Sequence, residues 1–88
     1  MVYFIQADYG PVKIGHAINP YKRMQDLQGA CPCKLKLLAT MPGGARLERQ
    51  IHRFFAHLNI RGEWFNLDGC LLSFVENNAK IFEMDFTK

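Results

Sequence analysis

The hydrophobic and polar positions of this chain fall into a succession of short periodic stretches, and each stretch predicts one element. Val2-Tyr3-Phe4-Ile5 is apolar and rich in strand-favouring residues, Asp8-Tyr9-Gly10-Pro11 is turn chemistry, and Val12-Lys13-Ile14-Gly15 reads as a second strand, which together predict a hairpin. Side chains alternate across a strand, so Tyr3 shares a face with Ile5 and Lys13 shares one with Gly15; Tyr3 and Lys13 can then point the same way. Asn19-Pro20 predicts a helix start, because the Asn side chain can cap free amides and Pro loses nothing by lacking an N–H at the first helical position. That helix carries Tyr21, Met24 and Leu27 as its apolar stripe and runs to about Gln28, with Gly29 as its stop.

After a loop over Ala30 to Lys34, the run 35–41 predicts a third strand with Leu35, Leu37, Ala39 and Met41 on one face, ended by Pro42-Gly43-Gly44. Next, Leu47, Ile51, Phe54, Phe55 and Leu58 make the wide apolar face of a core helix. Arg61-Gly62 is a turn into the aromatic segment 63–67, where Trp64 and Phe65 are expected to pack as a lid and a base-stacking role competes with a plain core role. A last helix is expected from Asp68, its cap, to Phe82, with Leu71, Leu72, Phe74, Val75 and Ile81 towards the core, followed by an acidic end at Glu83–Lys88. The order strand-strand-helix-strand-helix-helix predicts an α/β (α+β) fold, a small three-stranded antiparallel sheet flanked by helices.

At 88 residues the chain is expected to be one domain with a single modest core. It holds no repeat and no apolar run near the roughly 20 residues of a membrane span, and no basic segment leads into a long apolar stretch, so a cytoplasmic location is the default expectation. Of its three cysteines, Cys31 and Cys33 are separated by Pro32 alone, tighter than the two-residue gap usual in zinc knuckles and redox motifs, and the plain reading is reduced thiols in a loop and, for Cys70, a helix. The net charge of +3 is unevenly spread: residues 1–65 hold nine Lys/Arg against four Asp/Glu, whereas residues 66–88 hold two against four. A phosphate-bearing ligand over the first two-thirds would explain this, as would a solvated face.

The candidate chemistry gathers in two places. The hairpin and the first helical turn bring Tyr3, Lys13, His16 and Arg23 close together. Arg23 stands where the helix dipole already favours an anion, so it is either a phosphate contact or an ordinary surface Arg. On the core helix, Arg46, Arg49, Arg53 and His57 lie opposite the apolar face, and Glu48 with His52 occupies the border. A carboxylate there, partly desolvated yet reachable, suits a hard cation such as Mg²⁺; the competing reading is a Glu48–His52 hydrogen bond beside a solvated Arg row.

Tyr3-Phe4-Ile5, Lys13-Ile14-Gly15, Arg23, Glu48 within a helix and Gly62-Glu63-Trp64-Phe65 together resemble the core of the GIY-YIG nucleases, in particular the subgroup named after a phage T5 open reading frame. The resemblance covers roughly residues 2 to 67, with VYF in place of GIY and KIG in place of YIG. It implies a metal-dependent endonuclease acting on DNA, single- or double-stranded. Tyr3 would act as or position the general base, helped by a cation such as Lys13; Lys13 and Arg23 would stabilise the phosphate; and Glu48 would hold one Mg²⁺ or Mn²⁺. His16 could accept a proton or contact phosphate, Arg46, Arg49 and Arg53 would extend the DNA contact, and Asn66 would stand near the metal. Two other classes stay open: a non-catalytic DNA- or RNA-binding module with a degenerate site, and a small protein-interaction domain. A homodimer is left open as well.

Overall fold

The computed structural model describes residues 1–81, so Phe82 and the acidic end at Glu83–Lys88 lie outside the described residues. Strands β1 (Val2–Ala7) and β2 (Val12–His16) form the expected hairpin, with Tyr3 opposite Gly15 and Ile5 opposite Lys13. Gly10, at φ 116°, takes the left-handed turn position that a side chain would resist. Helix α1 (Pro20–Ala30) begins as expected: the Asn19 side chain accepts from Lys22 N at 3.1 Å with Pro20 just inside. It runs two residues beyond the expected end.

Strand β3 (Leu35–Met41) pairs with β1 on the side away from β2, which makes β2-β1-β3 the centre of the sheet. Its two ends face opposite ways. The register slips between Phe4 and Ile5, so that Leu38 is an extra residue facing no partner of its own, and this bulge breaks the alternation. Leu35 and Leu37 therefore pack with Tyr3, Ile5, Ala7 and Met24 beneath α1, while Ala39 and Met41 pack with Val2, Phe4, Ile14, Ile51 and Phe55 on the opposite side. The single apolar face expected along 35–41 is thus split between two cores.

The sheet is larger than the expected three strands. Among the described residues it has six, all antiparallel, in the order β4-β5-β2-β1-β3-β6, where β4 is Asn59–Arg61, β5 is Trp64–Phe65 and β6 is Lys80–Ile81. The three additions are two or three residues long, too short to show a period of their own; they exist because the edges of β2 and β3 offer unpaired backbone groups. The segment expected as a lid is therefore part of the sheet: Phe65 is buried and Trp64 half-buried against the α1-side core.

Helix α2 (Ala45–Phe54) buries Ile51 and half-buries Leu47, but Phe54 is 69% exposed. The α-helix stops there, Phe55 turns out of helical geometry (φ −104°, ψ 24°), and a 3-10 turn over Ala56–Leu58 brings Leu58 into the core. The face that α2 turns inward runs through Leu47, Glu48, Ile51, His52 and Phe55, and Phe54 stands off it. Helix α3 (Gly69–Asn78) is capped by Asp68, whose Oδ1 accepts from Leu71 N at 2.9 Å, and it buries Leu71 and Val75. It does not continue to Phe82. The Asn77 and Asn78 amides donate to the carbonyls of Ser73 and Phe74 at 2.8 Å each, and the chain then pairs as β6 with Thr40 and Ala39, which leaves Ile81 exposed; Leu72 is exposed too. Helix α1 thus covers one face of the sheet, and α2 and α3 cover the other. Among the described residues no helix is long and apolar enough to cross a membrane.

Candidate functional site

Strand β5 pairs with β2 only at Val12 and Lys13, and beyond that point the outer edge of β2 carries no further strand. The backbone there is satisfied otherwise. Ile14 N donates to Glu63 O at 2.9 Å, and Ile14 O lies 2.7 Å from Nε2 of His52, which reaches across from α2. A carbonyl only accepts, so His52 carries its proton on Nε2. Side chains from both faces of the sheet flank this uncovered edge.

From the α2 face come Glu48, His16 and His52. Position 16 alternates with buried Val12 and Ile14, which puts His16 on that face, and its Nδ1 donates to Glu48 Oε1 at 2.7 Å. The other Glu48 oxygen lies 3.9 Å from His52 Nε2, one helical turn away. The border position expected for Glu48 is what the structure shows: its side chain is 13% exposed, against 46% for His16.

From the α1 face come Tyr3, Arg23 and Lys13. The Tyr3 ring lies over Gly15, where a Cβ would collide with the phenol oxygen and stand 2.5 Å from Cζ, so the missing side chain at position 15 is the space Tyr3 occupies. Burial pushes the Tyr3 phenol above its ordinary value near 10, and the charges of Glu63 and Glu48 push the same way. The hydrogen bond and positive charge of the Arg23 guanidinium act against them. The cation at the phenol is therefore Arg23. Lys13, expected to help Tyr3, instead pairs through Nζ with Glu63 Oε1 at 3.0 Å and lies 5.7 Å from the centre of the Trp64 ring.

Not every candidate joins this cluster. Arg46, Arg49 and Arg53 stand exposed on the solvent side of α2, in no ion pair among the described residues. Asn66 is exposed and follows Phe65, the partner of Val12, so it lies at the opposite end of β2 from His16; its N–H donates to Leu58 O at 2.8 Å. Three residues gained roles that their sequence neighbourhood did not announce: Gly15 as the space for Tyr3, Glu63 as the partner of Lys13, and His52 as a donor to β2. Gly15 was open to discovery, since the hairpin register alone sets it opposite Tyr3.

For a divalent cation, the acidic donor on the α2 face is one half-buried carboxylate, Glu48. Among the described residues no group of three or more His, Cys, Asp or Glu side chains is placed to hold a metal. Glu48 therefore fits an ion that keeps most of its waters and shares a substrate phosphate, as Mg²⁺ does, and not one that needs an all-protein cage.

The T5orf172 domain family model matches residues 1–83, which takes in every residue of this cluster. The chain belongs to the T5orf172 domain family. This is a nuclease-like, DNA-binding family, and the resemblance to the phage T5 subgroup read from the motifs is borne out. No curated protein and no solved structure matches this T5orf172 domain.

Proposed function

We propose that this T5orf172 domain is a metal-dependent endonuclease that hydrolyses DNA phosphodiester bonds through a GIY-YIG-like site. The proposal is supported by the placement of Tyr3, Arg23 and Lys13 on one face and of Glu48 with His16 on the other, both flanking the uncovered edge of β2. Each need of phosphodiester hydrolysis has a candidate there. Arg23 and Lys13 offer positive charge to the phosphate oxygens, and Lys13 reaches them by exchanging its Glu63 partner for a phosphate. Tyr3 is kept protonated by burial and positions the attacking water; it takes up a proton only after a cation has drawn its own away. His16, held through Nδ1 by Glu48, keeps Nε2 for proton exchange with solvent or with the departing oxygen. Glu48 would hold one Mg²⁺ or Mn²⁺, which when bound supplies Lewis-acid stabilisation of the charge that builds on the phosphate. The exposed Arg46, Arg49 and Arg53 would track the DNA backbone.

A second reading, a non-catalytic DNA- or RNA-binding module, draws support from the fact that Glu48 and Lys13 are both already partnered. Cleavage of supercoiled plasmid and of labelled single- and double-stranded DNA, with Mg²⁺, Mn²⁺ or EDTA, separates the two. The endonuclease requires metal, and Glu48→Ala should cost it about a hundredfold or more in rate, the scale of losing a charge-stabilising group. Full activity in both Glu48→Ala and Tyr3→Phe would end this reading. Salt-sensitive binding without cleavage would establish the binding module.

A further inference from the structure

Away from this site, at the other end of β1, the C-terminal half of α1 and the start of β3 enclose a groove of about 830 Å³ lined by Gln6, Met24, Gln28, Lys34, Leu35 and other residues. Residues 31–33 join the lining residues Gly29 and Lys34 through Ala30. Here the Cys31 and Cys33 sulfurs are 2.9 Å apart, and both side chains are partly exposed. One residue holds this loop in place. The Gln28 side-chain amide donates to the carbonyls of Cys33 at 2.8 Å and Cys31 at 3.4 Å, its oxygen accepts from Leu35 N at 2.7 Å, and its own carbonyl accepts from Cys31 N at 3.2 Å. Pro32 between the thiols has its φ set by its ring.

We infer that Cys31 and Cys33 are a dithiol site that closes to an intramolecular disulfide by exchange with a low-molecular-weight disulfide such as oxidised glutathione. The sulfurs need to close by about 1 Å to reach the bonded distance near 2.05 Å. The ordering of the loop is already paid by Gln28, so closure loses little further entropy. The chemistry balances without any other oxidant. The Cys31 thiolate attacks one sulfur of oxidised glutathione, forming a mixed disulfide and releasing one glutathione thiolate. The Cys33 thiolate then attacks the Cys31 sulfur and releases the second, so that the protein loses two protons and two electrons and the glutathione disulfide is reduced. The two thiols can exchange roles in this sequence, because either sulfur can donate across the 2.9 Å contact. Cys70 cannot take part, since α3 lies on the opposite face of the sheet from α1.

The test treats the reduced 88-residue Cys70→Ser chain with oxidised glutathione and follows free thiols and intact mass. Both remaining thiols should disappear, the mass should fall by two hydrogens, and no glutathione should stay attached. Removing Cys31 or Cys33 as well should leave one stable glutathione adduct. As a readout that needs no second variant, phenylarsine oxide, which bridges paired thiols, should bind one equivalent and block the exchange. Two glutathione adducts on one chain, disulfide-linked dimers as the main product, or thiols that persist while the single-cysteine chains react would each overturn the inference.

Discussion

The two faces of β2 solve opposite electrostatic problems. On the α1 face a phenol is buried, with Arg23 beside it, and Lys13 on the same face already has a carboxylate partner. On the α2 face a carboxylate is half-buried between two imidazoles, one of which is engaged with the backbone of β2. Under the proposed function the first face would receive a phosphate, with Lys13 exchanging its partly exposed Glu63 partner for a phosphate oxygen. The second can hold a cation or pass a proton. Under the proposed function neither face would suffice for hydrolysis, and the two would act together across the edge of β2 that β5, stopping at Lys13, leaves open.

The largest effect is expected from Gly15→Ala, which fills the space of the Tyr3 ring and leaves the α2 face untouched. Overpacking of this kind typically costs about 1–3 kcal/mol, so urea unfolding should show a loss in that range, together with loss of any cleavage. An unchanged midpoint would mean that Tyr3 moves freely and is not positioned by the sheet.

A second effect belongs to the α1 face alone. The folded Tyr3 pKa is raised above the unfolded value, so its contribution to stability is fully present below about pH 10 and is lost as pH climbs from there through the folded value. Tyr3→Phe removes that slope. The difference in unfolding free energy between the natural chain and Tyr3→Phe should be level from pH 7 to 9 and shrink in favour of the variant above pH 10. A flat difference across the whole range would show that the phenol is not desolvated.

On the α2 face, the solvent-side arginines should act through charge only. Arg53→Ala is expected to weaken DNA binding and reduce the slope of log affinity against log salt by about 1, with stability nearly unchanged. An unchanged slope would remove that row from the interface. The smallest effect is expected from Glu63→Gln, which frees Lys13. A partly exposed ion pair contributes about 0–1 kcal/mol, so the melting temperature should barely move while DNA binding tightens. Weaker binding in this variant would mean that Glu63 positions Lys13 and does not merely occupy it.

Much of the local structure was legible from the residues. Asn19 before Pro20 and Asp68 before an apolar run form caps as side-chain chemistry dictates, and β3 spans the predicted residues because its apolar run is bounded by a loop and by Pro42-Gly43-Gly44. The register of the first hairpin put Tyr3 and Lys13 on one face, and the apolar stripe of α2 put Glu48 on the border. What escaped were features that cost or gain energy only against a partner. The bulge at Leu38 lets β3 serve two cores, β6 replaces the last turn of the expected α3 because the edge of β3 is available, and Phe54 stands off the face that α2 turns to the core.

The sequence by itself thus determined which residues are chemically able, namely a Tyr, a Lys, an Arg, a His and a Glu at spacings that periodicity and caps can place on definite elements. Only the tertiary structure decided who touches whom: that Arg23 rather than Lys13 meets the phenol, that His16 rather than His52 holds Glu48 closely, and that Cys31 and Cys33 face each other. The physical reason is range. Capping and alternation are settled within a few residues, whereas hydrogen bonds between residues 16 and 48, or 14 and 52, depend on how the helices lie across the sheet, which the whole core determines.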